Sequence, residues 1–124
     1  MIKKGIVVFL FFYSLNAIAD KPVCHSSSGG YCSYYGYVDK IYVNSGNLIL
    51  LYFDTAMDDG EWDKAGFQAS SRTATAIRID DNPEFAKLFY STALAAQTSK
   101  RMISIQMRGN YGNYLLADRI WLDD

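Results

Sequence analysis

The sequence predicts a mainly β domain that carries one helix. Three observations predict it. Two stretches, Tyr37–Val43 and Met102–Arg108, alternate apolar and polar residues as half-buried strands do. One stretch, from Pro83 to Gln97, instead repeats its apolar residues with a helical period. Clusters of Asn, Ser and Gly punctuate the chain between these segments.

The chain opens as exported proteins do. Lys3 and Lys4 precede an apolar run from Gly5 to Leu15, and Ala17 and Ala19 supply the small residues of a cleavage site. Residues 1–19 are therefore expected to be a signal peptide of the general secretion type, and residues 20–124 a single domain. The alternative is a membrane anchor. That needs about 20 apolar residues, and Asn16 ends the run short of it. With no later stretch of spanning length, the expected product is secreted or periplasmic, with no membrane span. Loss of Lys3 and Lys4 takes the formal charge from −1 to about −3. Such a chain lacks the basic patch that nucleic acid requires.

Cys24 and Cys32 are the two cysteines, and export favours a disulfide between them. A metal pair with His25 is the alternative, but the spacing fits no zinc pattern. Closing so short a loop stabilises by roughly 2–3 kcal/mol on a chain-entropy argument. It pins the flexible Ser26–Gly30 segment near the first strand.

In Tyr37–Val43, Tyr37, Ile41 and Val43 are expected on one face and Val38, Lys40 and Tyr42 on the other. Asn44-Ser45-Gly46-Asn47 is a turn, and Leu48–Phe53 is a continuous apolar run that completes a hairpin. Asp54–Ser71 is polar and long for a loop, so it is functional or hides a short strand near Phe67. Thr73–Ile79 is rich in β-branched residues and reads as the third strand.

The helix begins with Asn82 as cap, Pro83 in the first position and Glu84 at the positive end of the dipole. Phe85, Leu88, Phe89, Thr92 and Ala96 form one face, and Ala86, Tyr90, Ala93 and Leu94 make the other side apolar too. Such a helix is covered by a neighbouring subunit or deeply embedded in a monomer. The last strands are Met102–Arg108, with Ile103, Ile105 and Met107 opposite Ser104, Gln106 and Arg108, and Leu115–Leu122, with Ile120 and Leu122 inward. The order β-β-β-α-β-β is that of the OB-fold, a small five-stranded Greek-key barrel. The rival is another small α+β domain with an open antiparallel sheet.

No catalytic residue, metal site or cofactor is expected. His25 lies among loop serines and reads as a solvated residue, with no oriented partner to make it a base. Asp58-Asp59-Gly60-Glu61-Trp62-Asp63 is the one acidic cluster, and its spacing departs from the EF-hand pattern, so it reads as a solvated loop before a calcium site. The informative signal is aromatic. Of ten tyrosines, Tyr31, Tyr34, Tyr35 and Tyr37 crowd the segment near the cysteines and Tyr111 and Tyr114 the last turn, and Trp62 sits in the long loop. Their apolar rings with polar tips suit half-wet surfaces, and sugars have apolar faces and hydroxyl rims. The candidate glycan-binding residues are Ser33, Tyr34, Tyr35, Trp62, Tyr111, Asn113 and Tyr114, with Asn110 alongside. Several of these tyrosines are expected instead to fill the barrel or a subunit interface.

Tyr34-Tyr35 followed by Val38-Asp39-Lys40-Ile41-Tyr42-Val43, and Ala86-Lys87-Leu88-Phe89-Tyr90-Ser91-Thr92 leading to Met102-Ile103-Ser104-Ile105-Gln106, resemble the B subunits of subtilase-type and typhoid-type AB5 toxins. The resemblance covers about a third of residues 20–124. It implies a secreted OB-fold, a five-membered ring, a cell-surface glycan as ligand (often sialylated), and a catalytic A subunit held through the central pore. The family places a serine directly after the Tyr-Tyr pair, against the sialic acid carboxylate. Here that position is Gly36, and Ser33 precedes the pair. The Tyr111–Tyr114 segment also departs from the family pattern. Two functions follow as expectations: a glycan-binding module without chemistry, or a protein-interaction module of the same fold with no sugar ligand.

Overall fold

Leu48–Phe53 has almost nothing polar to show to water, and in the computed structural model it is an inner strand. The structure describes residues 20–123. The expected signal peptide lies outside the described residues. In chain order the strands are β1 (Asp20–His25), β2 (Tyr31–Gly36), β3 (Val38–Asn44), β4 (Leu48–Phe53), β5 (Ala74–Arg78), β6 (Ile103–Tyr111) and β7 (Tyr114–Leu122). Helix α1 (Pro83–Ser99) lies between β5 and β6. The domain is therefore mainly β with one helix, as the residue periods imply.

The count of five strands does not hold. Asp20–His25 and Tyr31–Gly36 form two additional strands, paired to each other, and the expected first strand, Tyr37–Val43, is β3. The seven strands form one sheet in the order β1-β2-β6-β7-β5-β4-β3. Its hydrogen-bonded order is open, with β1 and β3 at the two ends, so a closed five-stranded barrel is not what the ladders describe. All neighbours are antiparallel except β5 and β7, which are parallel at Thr75↔Leu115 and Ala76↔Leu116. The Thr75 hydroxyl stitches that short pair by donating to the Leu115 carbonyl at 2.9 Å.

The sheet is strongly curled. Only Tyr37 separates β2, next to one end, from β3 at the other. Two peptide units reach about 7 Å, so the far strand must return alongside the second. Tyr34 holds this bend. Its hydroxyl donates to the Tyr37 carbonyl and accepts from the Asp54 amide at 2.8 Å. Its ring packs on Phe53, with centroids 4.6 Å apart. Burial pushes the Tyr34 phenol well above its ordinary value, so it stays a neutral donor.

Helix α1 begins as its cap residues dictate, with the Asn82 side chain accepting from the Phe85 amide at 3.1 Å. It ends at Lys100 in the left-handed conformation. Its buried face is Ala86, Phe89, Ala93 and Ala96. The expected face through Leu88 is corrected: Leu88 is 67 % exposed, because the helix is turned so that its alanines sit against the sheet. Small residues there let the backbone approach closely.

The Asp54–Ser71 segment hides a 3₁₀ helix, Glu61–Ala65, in place of a strand. Trp62 is buried in the core cluster and Phe67 packs against it. The acidic cluster is accordingly a structural device. The Glu61 carboxylate accepts from the Cys24 amide at 2.9 Å and pairs with Lys64 at 3.1 Å. Asp58 pairs with Lys21 at 2.9 Å. These contacts tie the 3₁₀ helix to β1, whose Cys24 is bonded to Cys32 across the β1–β2 ladder.

The bond from the Cys24 amide holds the Glu61 carboxyl below the usual carboxylate range, helped by Lys64. A lowered folded-state value means stability that is complete above the unfolded value, about 4.3, and lost as pH falls through the folded one. Glu61→Gln is therefore expected to destabilise by about 1–3 kcal/mol at neutral pH. The gap to wild type should close below about pH 4. Urea unfolding across pH checks this, and a pH-independent gap would refute the charge-based account.

Candidate glycan-binding face

Cross-strand partners share a face of the sheet, and this sorts the candidate residues. On β2 the burial alternates, with Cys32, Tyr34 and Gly36 inside and Ser33 and Tyr35 outside. Tyr34, 1 % exposed, is thus a core residue with its hydroxyl committed to backbone, and is removed from the candidate surface. Trp62, 7 % exposed under the 3₁₀ helix, is removed for the same reason.

Ser33 and Tyr35 remain on an outer face. Tyr35 pairs with Ser104 of β6, and Ser104 with Trp121 of β7. In the next row Val23, Ser33, Gln106 and Arg119 are successive partners. Tyr35 and Trp121 are both well exposed. They stand two strands apart, about 10 Å at the strand spacing, with the Ser104 hydroxyl between them. The polar groups are held in place. Ser104 Oγ donates to Asp123, and Gln106 Nε2 donates to both Asp118 oxygens at 3.2 and 3.3 Å. Ser33 Oγ lies 3.5 Å from His25 Nε2, and the His25 ring packs on Tyr31 at 4.7 Å. Arg108 stands over the other end of this cluster, 5.6 Å from the Tyr31 ring, donating to the Ser28 and Gly30 carbonyls.

Tyr111, Asn113 and Tyr114 lie elsewhere. Tyr111 and Tyr114 are partners at the tip of the β6–β7 hairpin, closed by Gly112 and Asn113. Tyr111 lies seven residue steps along β6 from Ser104, about 24 Å of strand. The Asn113 carbonyl accepts from the Ser70 and Ser71 amides, and the Asn110 side chain from the Gln68 amide at 3.3 Å. These asparagines tether the long loop. The structure therefore splits the sequence candidates into an outer face (Ser33, Tyr35), a core pair (Tyr34, Trp62) and a hairpin tip (Tyr111, Asn113, Tyr114).

No family model, curated protein or solved structure matches this chain. Trp121, Gln106 and Arg119 complete the outer face and were not among the sequence candidates. The alternation of Ser104 and Gln106 against Ile103 and Ile105 signals their direction, and the position of Trp121 between Ile120 and Leu122, whose ladder partners are the buried Ile105 and Ile103, signals its own, although Leu122 itself is partly exposed at the strand end.

What this face offers is two exposed aromatic rings, two hydroxyls, an amide and a guanidinium on rigid strands. Among the described residues no group of three His, Cys, Asp or Glu side chains could hold a metal ion. The arrangement suits a polyhydroxyl ligand with apolar ring faces, since aromatics take the C–H faces and the polar row takes the hydroxyls.

Proposed function

We propose that this protein is a secreted or periplasmic glycan-binding module of OB type, without catalysis, that works as a homo-oligomer. The observation that carries the reading is the row Tyr35–Ser104–Trp121, two exposed rings flanking a hydroxyl beside the polar row Ser33–Gln106–Arg119. Reading β2 and β3 as halves of one strand bent at Tyr37 supports OB connectivity, in which the first strand pairs with two others. The disulfide supports an oxidising compartment. No helix of the described residues is long and apolar enough to cross a membrane.

The occupant of the helix's outer surface is a second copy of the chain. Leu88, Tyr90, Leu94 and Val43 are exposed there, beside an apolar groove of about 350 Å³. The strands β1 and β3 end the sheet and differ from each other, and a contact joining these unlike edges of two copies would be head-to-tail, the kind that forms a ring where its rotation closes. A ring repeats one weak site several times, and avidity then exceeds single-site affinity. Light scattering should report an oligomer at micromolar concentration; a monomer would remove this part.

The binding claim is tested on a glycan array, followed by titration of the best ligand. Trp121→Ala and Tyr35→Ala should each weaken binding by about 1–2 kcal/mol, or five- to thirtyfold, with unfolding midpoints unchanged. No glycan bound, or wild-type affinity in both variants, contradicts the proposal. Specific capture of a protein unaffected by sugars would favour the interaction-module reading.

A further inference from the structure

A second cleft lies at the other end of β6, where the β3–β4 turn, the end of β5 and the β6–β7 tip converge. It holds about 200 Å³ and is lined by Asn44, Asn47, Leu48, Arg78, Asp80 and Tyr111, among others. We propose that it binds one neutral monosaccharide unit, independently of the outer face.

The chemistry points to a neutral polyol. Arg78 and Asp80 both face the cleft, so an anion meets a carboxylate and a cation meets a guanidinium. A sugar hydroxyl instead donates to the one and accepts from the other. The Asp80 carboxylate takes the Asn47 amide at 3.0 and 3.2 Å, and its two oxygens have further lone pairs for neighbouring hydroxyls. The Arg78 guanidinium is 4.2 Å from the Tyr111 ring centroid and 3.7 Å from Asp81, and it has five N–H donors in total. Tyr111 is 45 % exposed at the rim, where its ring can meet the apolar face of a sugar.

The cleft is built in advance of any ligand. Asn47 is left-handed, with φ 63°, and its carbonyl accepts from the Ile79 amide at 2.9 Å. Leu48 and Arg78 are ladder partners, so the two walls are held in register. The Asn44 side chain accepts from the Gly46 amide at 2.8 Å and closes the turn. Such preorganisation lowers the ordering cost of binding. The volume is that of roughly seven waters, which admits one sugar ring and excludes an oligosaccharide from the interior.

The test is a titration of ¹⁵N-labelled protein with glucose, galactose, mannose and their N-acetylamino forms, read by amide shifts. A sugar of the panel should move the amides of Asn47, Leu48, Arg78 and Tyr111, with a dissociation constant of about 1 mM or more. Asp80→Ala should weaken this at least about tenfold, and Asp80→Asn, which keeps the volume, should do the same. Trp121→Ala should leave it unchanged. Still amides throughout the panel overturn the proposal, as does wild-type affinity in Asp80→Asn. Shifts confined to Ser33, Tyr35 and Ser104 overturn it as well, while leaving the outer face standing.

Discussion

Truncation of Phe89 to alanine is expected to lower the unfolding free energy by about 3–5 kcal/mol, at the upper part of that range. Phe89 is fully buried, and the other fully buried positions of α1 are alanines, Ala86, Ala93 and Ala96. Alanines have no rotamers with which to refill a cavity. The nearest ring is Phe85, with centroids 5.9 Å apart, and it sits at the edge of the core. A domain of this size has about 5–15 kcal/mol in all, so the variant should stand close to its unfolding threshold. Urea unfolding with an unchanged slope would assign the loss to the folded state. A loss under about 1 kcal/mol would mean that α1 does not seal the curled sheet as described.

Gly30→Ala should cost about 2–4 kcal/mol for a different reason. Gly30 has φ +90°, and a Cβ there would lie 2.3 Å from the Ala65 carbonyl oxygen and 3.1 Å from its carbon. Both are backbone atoms, so no side chain can step aside. The β1–β2 connection would be forced off the 3₁₀ helix, breaking the Glu61 contact to Cys24 and uncovering Trp62. Gly29→Ala is the control. Its φ is +83°, yet its Cβ would meet only an Arg108 nitrogen at 3.7 Å. It should show the left-handed strain alone, about 1–2 kcal/mol. Equal losses in the two variants would discard the close approach as the cause.

Much of the fold is legible in the residues because local chemistry dictates it. Asn82 and Pro83 start α1 in the structure as they do on paper, and the Asn44–Asn47 turn joins β3 to β4. The β6 alternation is observed residue by residue. What escaped depends on partners distant in sequence. Glu61 and Trp62 sit among acidic residues and read as solvated, yet docking on β1 buries both. Strand β1 is short and contains Pro22, and its pairing with β2 makes it a strand. Tyr34 and Tyr35 are neighbours, and strand parity sends one inward and one out. The rotation of α1 depended on which small residues the sheet admits, and that is decided by close packing rather than by hydropathy.

The candidate site was half legible. Ser33 and Tyr35 face outward as a surface requires, but their partners Gln106, Ser104 and Trp121 come from strands about 70 to 90 residues later. Only the ladder brings them together. Tyr111, Asn113 and Tyr114 look like companions of that surface in sequence, and the hairpin instead carries them to the opposite end of β6.

Tryptophan fluorescence tests the outer face most directly, because the chain has two tryptophans in contrasting places. Trp121 is 47 % exposed on the proposed face and Trp62 is 7 % exposed in the core. Titration with a glycan that the protein binds should shift or quench the emission, and Trp121→Phe should abolish that response while the buried Trp62 signal persists. A response carried by Trp62, or none at saturating glycan, would contradict the assignment of the ligand to this face.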